Sequence, residues 1–344
     1  MRKVLLSSLA ALLCLGCSGK DSGEGGTAAK NGEESKTLVV YVGRNLSLVK
    51  PLLETFQKKH GIEVKTRDGK SGALAGLLLE EGAKSKADVF WAQDADSLAQ
   101  VEGKGLFAPL PIKSVESESP LFAGRSAHWL PISGRARVLA YNPTKISKED
   151  LPKSILELTD PKYAGQVGWA PTNASFKSFV TALRATKGEA AAKAWLDGMK
   201  ANGAKKYAKN TPIISALGAG EISMGLPNHY YLLRKKATNK DFPVEQAFFA
   251  DGDIGNLINV SGAGILKGAK NKKNAETFLK FLVSKEAQQY FADKTFEYPV
   301  RSDVKANETL EKPEDLPRIS PKIDLKQLSD LKGTLKTMRA SGLL

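Results

Sequence analysis

Thr37-Leu38-Val39-Val40-Tyr41-Val42 is an unbroken β-branched and apolar run, followed directly by Gly43-Arg44-Asn45. Leu46 to His60 comes next, with Leu48, Leu52, Leu53 and Phe56 recurring at helical spacing and Pro51 early enough to be tolerated. Strand, glycine turn and helix make the first half of a βα unit, and open α/β sheets bind ligands at the loop after such a strand. The pattern recurs. Ile62 to Thr66 reads as a strand, Leu74 to Lys84 as a helix, and Ala87-Asp88-Val89-Phe90-Trp91 as a strand ending in Gln93-Asp94-Ala95-Asp96. The fold class is α/β. Beyond the amino-terminal segment about 300 residues remain, too many for one compact core and comfortable for two α/β lobes.

Pro131 to Tyr141 reads as a strand leaving a crossover. Alternation along it places Ser133, Arg135, Arg137, Leu139 and Tyr141 on one face. Two arginines beside a tyrosine are costly to bury without an anion or an acid partner. An edge strand with snorkelling arginines is the plainer alternative. Gln166 to Ala170 is a short strand, and Pro171-Thr172-Asn173-Ala174-Ser175 opens a helix from Phe176 to Ala185. Its free N–H groups make an anion site, so Asn173 either caps the helix or contacts an anion. Ala190 to Lys200 is a further amphipathic helix. Phe242 to Phe249 and Leu257 to Val260 are return strands, Asn274 to Asp293 is one helix, and Leu325 to Met338 is another.

Leu226 to Lys235 holds two adjacent tyrosines, Tyr230 and Tyr231, after a Pro-Asn turn signal. Asn228 reads as an N-cap, and Arg234, Lys235 and Lys236 suit a helix C-terminus. The tyrosines then sit in the first turn, where the helix dipole favours phenolate charge. A hard cation would strip their protons, which otherwise leave only near pH 10. Neighbouring side chains diverge by about 100° on a helix, so the rings are expected to converge on one ion without stacking. A bare tyrosine pair is more commonly two half-buried aromatics with hydrogen-bonded hydroxyls.

Met1-Arg2-Lys3 and the apolar Val4 to Leu15 form an export signal too short to span a bilayer. Leu15-Gly16-Cys17 resembles the lipobox of bacterial lipoproteins, with Cys14 replacing the usual leucine. Cys17 is then the lipidation site and 18–36 a flexible polar tether. With Cys14 removed and Cys17 acylated, no thiol remains for disulfides or thiolate metal sites. The net charge of +14 comes from scattered Lys and Arg without aromatic-interleaved basic motifs, which excludes nucleic acid as the partner. No Gly-x-Ser-x-Gly elbow, metalloprotease motif or Cys nucleophile is present, so the chain is not expected to be an enzyme. His60 and His128 lack metal-ligand spacing, and His229 is expected to support the tyrosines.

Asn228-His229-Tyr230-Tyr231 resembles the tyrosine-pair motif of periplasmic ferric-ion-binding proteins, the solute-binding components of iron(III) ABC transporters. Tyr41-Val42-Gly43-Arg44, Ala87 to Trp91, Ser133 through Tyr141-Asn142, Gly252 through Gly264, and Glu297-Tyr298-Pro299-Val300 match in the same order. The resemblance spans residues 37–344. It implies a class II two-lobe binding protein whose hinged, mixed-sheet lobes flank a ligand cleft, with 37–132 and 258–344 in one lobe and 133–257 in the other. It further implies iron(III) held by Tyr141, Tyr230 and Tyr231, with a synergistic carbonate or bicarbonate at Arg44, Arg135 and Asn173. Asn45 and Gln93 replace ligands found in relatives, which leaves Gln93 and Asp94 open as first-lobe donors and points to the three-tyrosine subgroup. The expected setting is a monomer anchored at the periplasmic or outer cell surface, serving an ABC permease. A binder of an oxyanion, polyamine or organic phosphate is the alternative on the same fold.

Overall fold

The computed structural model describes residues 35–344, apart from 111–117, 120–121, 123–125 and 324. The export signal, Cys17 and the tether through residue 34 lie outside them.

The first sheet begins as the sequence reading expects. Strand β1 (Thr37–Val42) leads into helix α1 (Leu46–His60), which Asn45 caps by accepting from the Ser47 N–H at 3.2 Å. The apolar face of α1 buries Val49, Leu52, Leu53 and Phe56. Next come β2 (Glu63–Asp68), α2 (Ser71–Glu81), β3 (Val89–Ala92) and α3 (Ala95–Gly103), and β1 pairs in parallel with both β2 and β3. All four residues of β3 are buried, as a strand covered on both faces requires. Gly43 cannot carry a side chain. A Cβ there would lie 2.3 Å from the Ser71 Oγ, which donates to the Gly43 carbonyl at 3.0 Å and accepts from the Gln93 N–H at 2.8 Å.

The expected strand from Pro131 to Tyr141 is split. β4 (Leu130–Ala136) belongs to the first sheet and β5 (Leu139–Tyr141) to the second, with the change of sheet at Arg137 and Val138. The second sheet is built from β5, β6 (Val167–Trp169), β7 (Lys205–Lys206), β8 (Met224–Gly225) and β9 (Glu245–Ala247), in the order β7-β6-β8-β5-β9. Helices α4 (Ala174–Lys187), α5 (Glu189–Ala201), α6 (Asn210–Gly218) and α7 (His229–Thr238) accompany it. The return segment from Phe242 to Phe249 supplies only the short β9. The chain then re-enters the first sheet through β10 (Ile258–Ile265), antiparallel to both β3 and β4. The two crossings touch, because the Arg137 N–H donates to the Leu257 carbonyl at 3.0 Å.

The expected single helix from Asn274 to Asp293 is broken into α8 (Lys272–Leu282) and α9 (Lys285–Tyr290), continued by a π-helical turn from Phe291 to Thr295. Ser284 makes the break by accepting from the Ala287 N–H, a fresh N-cap inside the apolar pattern. β11 (Tyr298–Pro299) completes the first sheet in the order β11-β4-β10-β3-β1-β2. The short α10 (Leu316–Ile319) precedes the last helix, α11 (Leu331–Ala340). In this last helix the fold departs from the expected partition. α11 packs on α4 and α5 of the second lobe, where Thr181 and Thr334 join hydroxyls at 2.8 Å and Lys200 donates to the Ser341 carbonyl at 2.5 Å. Two mixed sheets flanked by helices and joined by paired crossings make a two-lobe α/β fold.

Candidate metal and anion site

Tyr230 and Tyr231 enter at the start of α7. Asn228 holds the extended cap conformation (φ −88°, ψ 153°), but its side chain makes no capping bond. The rings stack, with centroids 4.4 Å apart and planes 29° from parallel, contrary to the expectation that adjacent helical side chains diverge. The reason is position. A first-turn residue has no preceding turn to clash with, so its χ1 is freer than in a helix interior. Burial pushes the Tyr231 hydroxyl well above the usual phenol range, and the neighbouring Tyr230 adds to the rise. The Asn210 amide and the Arg135 charge pull the other way. A metal-free Tyr231 is therefore a neutral phenol with a cation nearby.

Around the pair lie polar groups with nothing to bond. Arg135 is 3% exposed, and its Nε is sealed from solvent without an acceptor. Asn259 is the β10 register partner of Arg135, and its Nδ2 is equally unpartnered while its Oδ1 accepts from the Ala95 N–H at 3.1 Å. Asn210, at the head of α6, is buried with its amide turned to the Tyr231 hydroxyl. Buried polar groups are nearly always satisfied, so the orphaned donors of Arg135 and its neighbour Asn259 call for an acceptor brought from outside. Asn210 and Asn259 were not singled out from the sequence. A Lys-Asn-Thr-Pro turn signal marks Asn210, but nothing local marks its burial.

Two expected site residues are placed elsewhere. The Tyr141 hydroxyl donates to Glu245 at 2.6 Å and is pushed up to about 12 by burial and then by that carboxylate. β5 pairs Ala140 with Gly225 and Tyr141 with Met224, so each step along it retreats from Asn228. At 3.3 Å per residue, Tyr141 lies about 13 Å of strand beyond Arg137. The alternation that put Tyr141 beside Arg135 assumed one strand, and the change of sheet breaks it. Arg44, expected at an anion, is committed to the chain's own carboxylate: its Nη2 meets both Glu297 oxygens at 2.7 and 2.9 Å, and its Nη1 meets Ser133 Oγ at 3.1 Å. Burial alone would raise the Glu297 carboxyl, but Arg44 and Arg135 hold it below the usual carboxylate range.

Asn173 caps α4, its Oδ1 accepting from the Ser175 N–H at 2.9 Å and the Ser175 hydroxyl at 2.7 Å. Arg137 lies over the rings of Phe176 and Phe179 and donates to the Leu226 carbonyl at 2.8 Å, and burial lowers it to about 10. Asp94 caps α3 by accepting from the Ser97 N–H at 2.9 Å. His229 is buried, accepting from the Ala136 N–H at 3.0 Å through Nδ1 and donating to the Phe296 carbonyl at 2.6 Å through Nε2. Phe296 has φ +56°, the one positive value among described non-glycine residues. His229 thus fixes α7 to β4 and to a turn in the left-handed region.

The model of the bacterial extracellular solute-binding protein family matches residues 84–324. The chain is 33% identical to the Fe(3+)-binding periplasmic protein of Serratia marcescens, over 89% of this chain and 90% of that one. It is 37% identical to the major ferric iron-binding protein of Neisseria meningitidis serogroup A, over 80% and 84%. The crystal structure of iron-bound HitA from Pseudomonas aeruginosa superposes with a TM-score of 0.83 at 36% identity, over 89% of this chain and 99% of that one. The chain belongs to the bacterial extracellular solute-binding proteins, in the branch of the periplasmic ferric-ion-binding proteins.

Proposed function

We propose that the chain binds ferric ion between its lobes as cargo and delivers it to an ABC-type permease. Tyr230 and Tyr231 supply phenolate oxygens, and Arg135 with Asn173 at the α4 N-terminus holds a synergistic anion, carbonate or bicarbonate. Tyr141 and Arg44 stand outside this donor set, because Glu245 and Glu297 already engage them. The observation that carries the reading is the stacked phenol pair within range of the Arg135 charge, whose buried Nε has no acceptor. Ferric ion is hard and favours anionic oxygen, which phenolate and carbonate provide. The relatives bear the names of ferric-binding proteins, and binding without turnover is the role proposed here. Rotation about the paired crossings at Arg137 and Leu257 is the hinge motion that would admit and release cargo. Cys17 would tether the monomer to the membrane at the periplasmic or outer surface.

The test is a visible spectrum during titration with ferric ion in bicarbonate buffer. A tyrosinate-to-iron charge-transfer band that Tyr230→Phe weakens and Tyr141→Phe leaves intact is expected. No band at saturating iron would sink the ferric assignment.

A further inference from the structure

Six lysines gather at the end of the first sheet that points away from the proposed cargo site. Gly43 and Gln93 mark the carboxyl ends of β1 and β3, where the Ser71 hydroxyl links them. The opposite end is about 20 Å of strand away, given the six residues of β1. There Lys36 leads into β1, and its carbonyl accepts from the Glu63 N–H at 2.7 Å. Lys84 and Lys86 precede β3. Lys267, Lys270 and Lys272 follow β10, which runs antiparallel to β3 and so finishes at the same end.

One buried acid ties these segments together. The Asp88 carboxylate accepts from the Val39 N–H at 2.9 Å, from the Lys270 and Asn271 N–H groups at 2.9 and 3.0 Å, and from the Asn271 side chain at 2.9 Å. The Asn274 side chain donates to the Thr37 carbonyl at 2.8 Å, which sets the start of α8 beside the start of β1. A Cβ on Gly268 would lie 3.0 Å from the Ala83 carbonyl oxygen, so the segments of Lys267 and Lys84 touch. All six lysines are exposed, and among the described residues none of them forms an ion pair. The neighbouring acids are mostly engaged. Asp88 is buried under its N–H donors, Glu63 pairs with Lys65 at 3.6 Å, and Glu81 meets the Tyr41 and Ser85 hydroxyls at 3.0 and 2.7 Å. Glu80 and Glu276 are too few to offset the six cations.

We propose that this lysine surface docks on the anionic phospholipid headgroups of a bilayer and holds the cargo site clear of the lipid. Lysine ammoniums are compact point charges suited to a diffuse layer of phosphates, and the attraction acts within a Debye length of the surface. Lipid anchoring at Cys17 would attach the domain at this same end, because the chain enters β1 through Lys36. The inference rests on the lipid-anchor reading only for how the chain reaches the membrane.

The experiment is lysine acetylation of the full chain, read by mass spectrometry, on vesicles of phosphatidylcholine alone or mixed with phosphatidylglycerol. The six lysines should react about fivefold more slowly on the mixed vesicles, and high salt should erase the difference. Lys148, Lys209 and Lys240, exposed on the second lobe, should react at one rate on both. The variant Lys84→Gln/Lys86→Gln/Lys270→Gln should weaken docking about a hundredfold and deprotect Lys36, Lys267 and Lys272. Lys148→Gln/Lys209→Gln/Lys240→Gln removes the same charge and should leave them protected. No protection, the outcome if the surface instead meets an acidic protein, would overturn the proposal. So would uniform protection of all lysines, or equal effects of the two triple variants. Retention on the mixed vesicles alone would leave the docking surface standing and sink the lipid anchor at Cys17.

Discussion

Arg44 and Glu297, 253 positions apart in the chain, form a two-pronged ion pair at 2.7 and 2.9 Å with both side chains buried. The Ser133 hydroxyl on β4 touches both partners, at 3.1 Å to Arg44 and 2.5 Å to Glu297. The end of β1, the middle of β4 and the approach to β11 are thereby pinned together beside Arg135. Arg135 also lowers the Glu297 carboxyl, so one buried acid neutralises Arg44 and steadies the arginine proposed to face the anion.

Removing one partner should cost far more than removing both. Arg44→Met strands a buried carboxylate and should destabilise the protein by about 3–5 kcal/mol, with Arg44→Met/Glu297→Met recovering much of the loss. The Glu297 carboxyl is lowered in the fold, so its contribution is present above the ordinary carboxylate range, about pH 4, and is lost as pH falls through its folded value. Urea unfolding midpoints at pH 7 measure the first effect, and their further fall between pH 4 and pH 2.5 measures the second.

Asp96 has the opposite sign. Burial and then Asp94 raise its carboxyl, so the folded state holds the proton more tightly than the unfolded chain. The associated stability is present below about pH 4 and is lost as pH rises through the folded value. Asp96→Asn keeps an acceptor for the Ser178 hydroxyl and removes the charge. It should raise the urea midpoint at pH 7.5 and change it little at pH 4. A lower midpoint at pH 7.5 would show the charge to be needed.

Tyr231 is neutral before metal arrives, so ligation must expel its proton. Ferric affinity should rise with pH, and uptake in weakly buffered solution should acidify it. Tyr231→Phe should release about one proton fewer per iron bound. Proton release that is equal in the two proteins would remove Tyr231 from the donor set.

Tyr141→Phe separates structure from ligation. The variant loses one hydrogen bond to exposed Glu245 and should cost about 1 kcal/mol or less. Its ferric charge-transfer band should match the wild type, and a band diminished as strongly as in Tyr230→Phe would return Tyr141 to the donor set.

Local chemistry was enough to specify much of this protein. The β-branched run of β1, the glycine after it, the apolar stripe of α1 and the turn before Tyr230 are short-range features, and they form where expected because each is set by neighbouring residues. Long-range packing decided the rest. Whether the strand through Arg135 and Tyr141 stayed in one sheet depended on pairing with β10 on one side and with β8 and β9 on the other, which alternation along the chain does not encode. That change of sheet sends Tyr141 to Glu245 and leaves the Arg135 charge within range of Tyr231. Glu297 took Arg44 from across the sequence, and Asn259 became an orphaned donor only once burial stripped it of water. Local runs determine elements because their interactions lie within a few residues. The partner of a buried charge is set only when distant segments close around it.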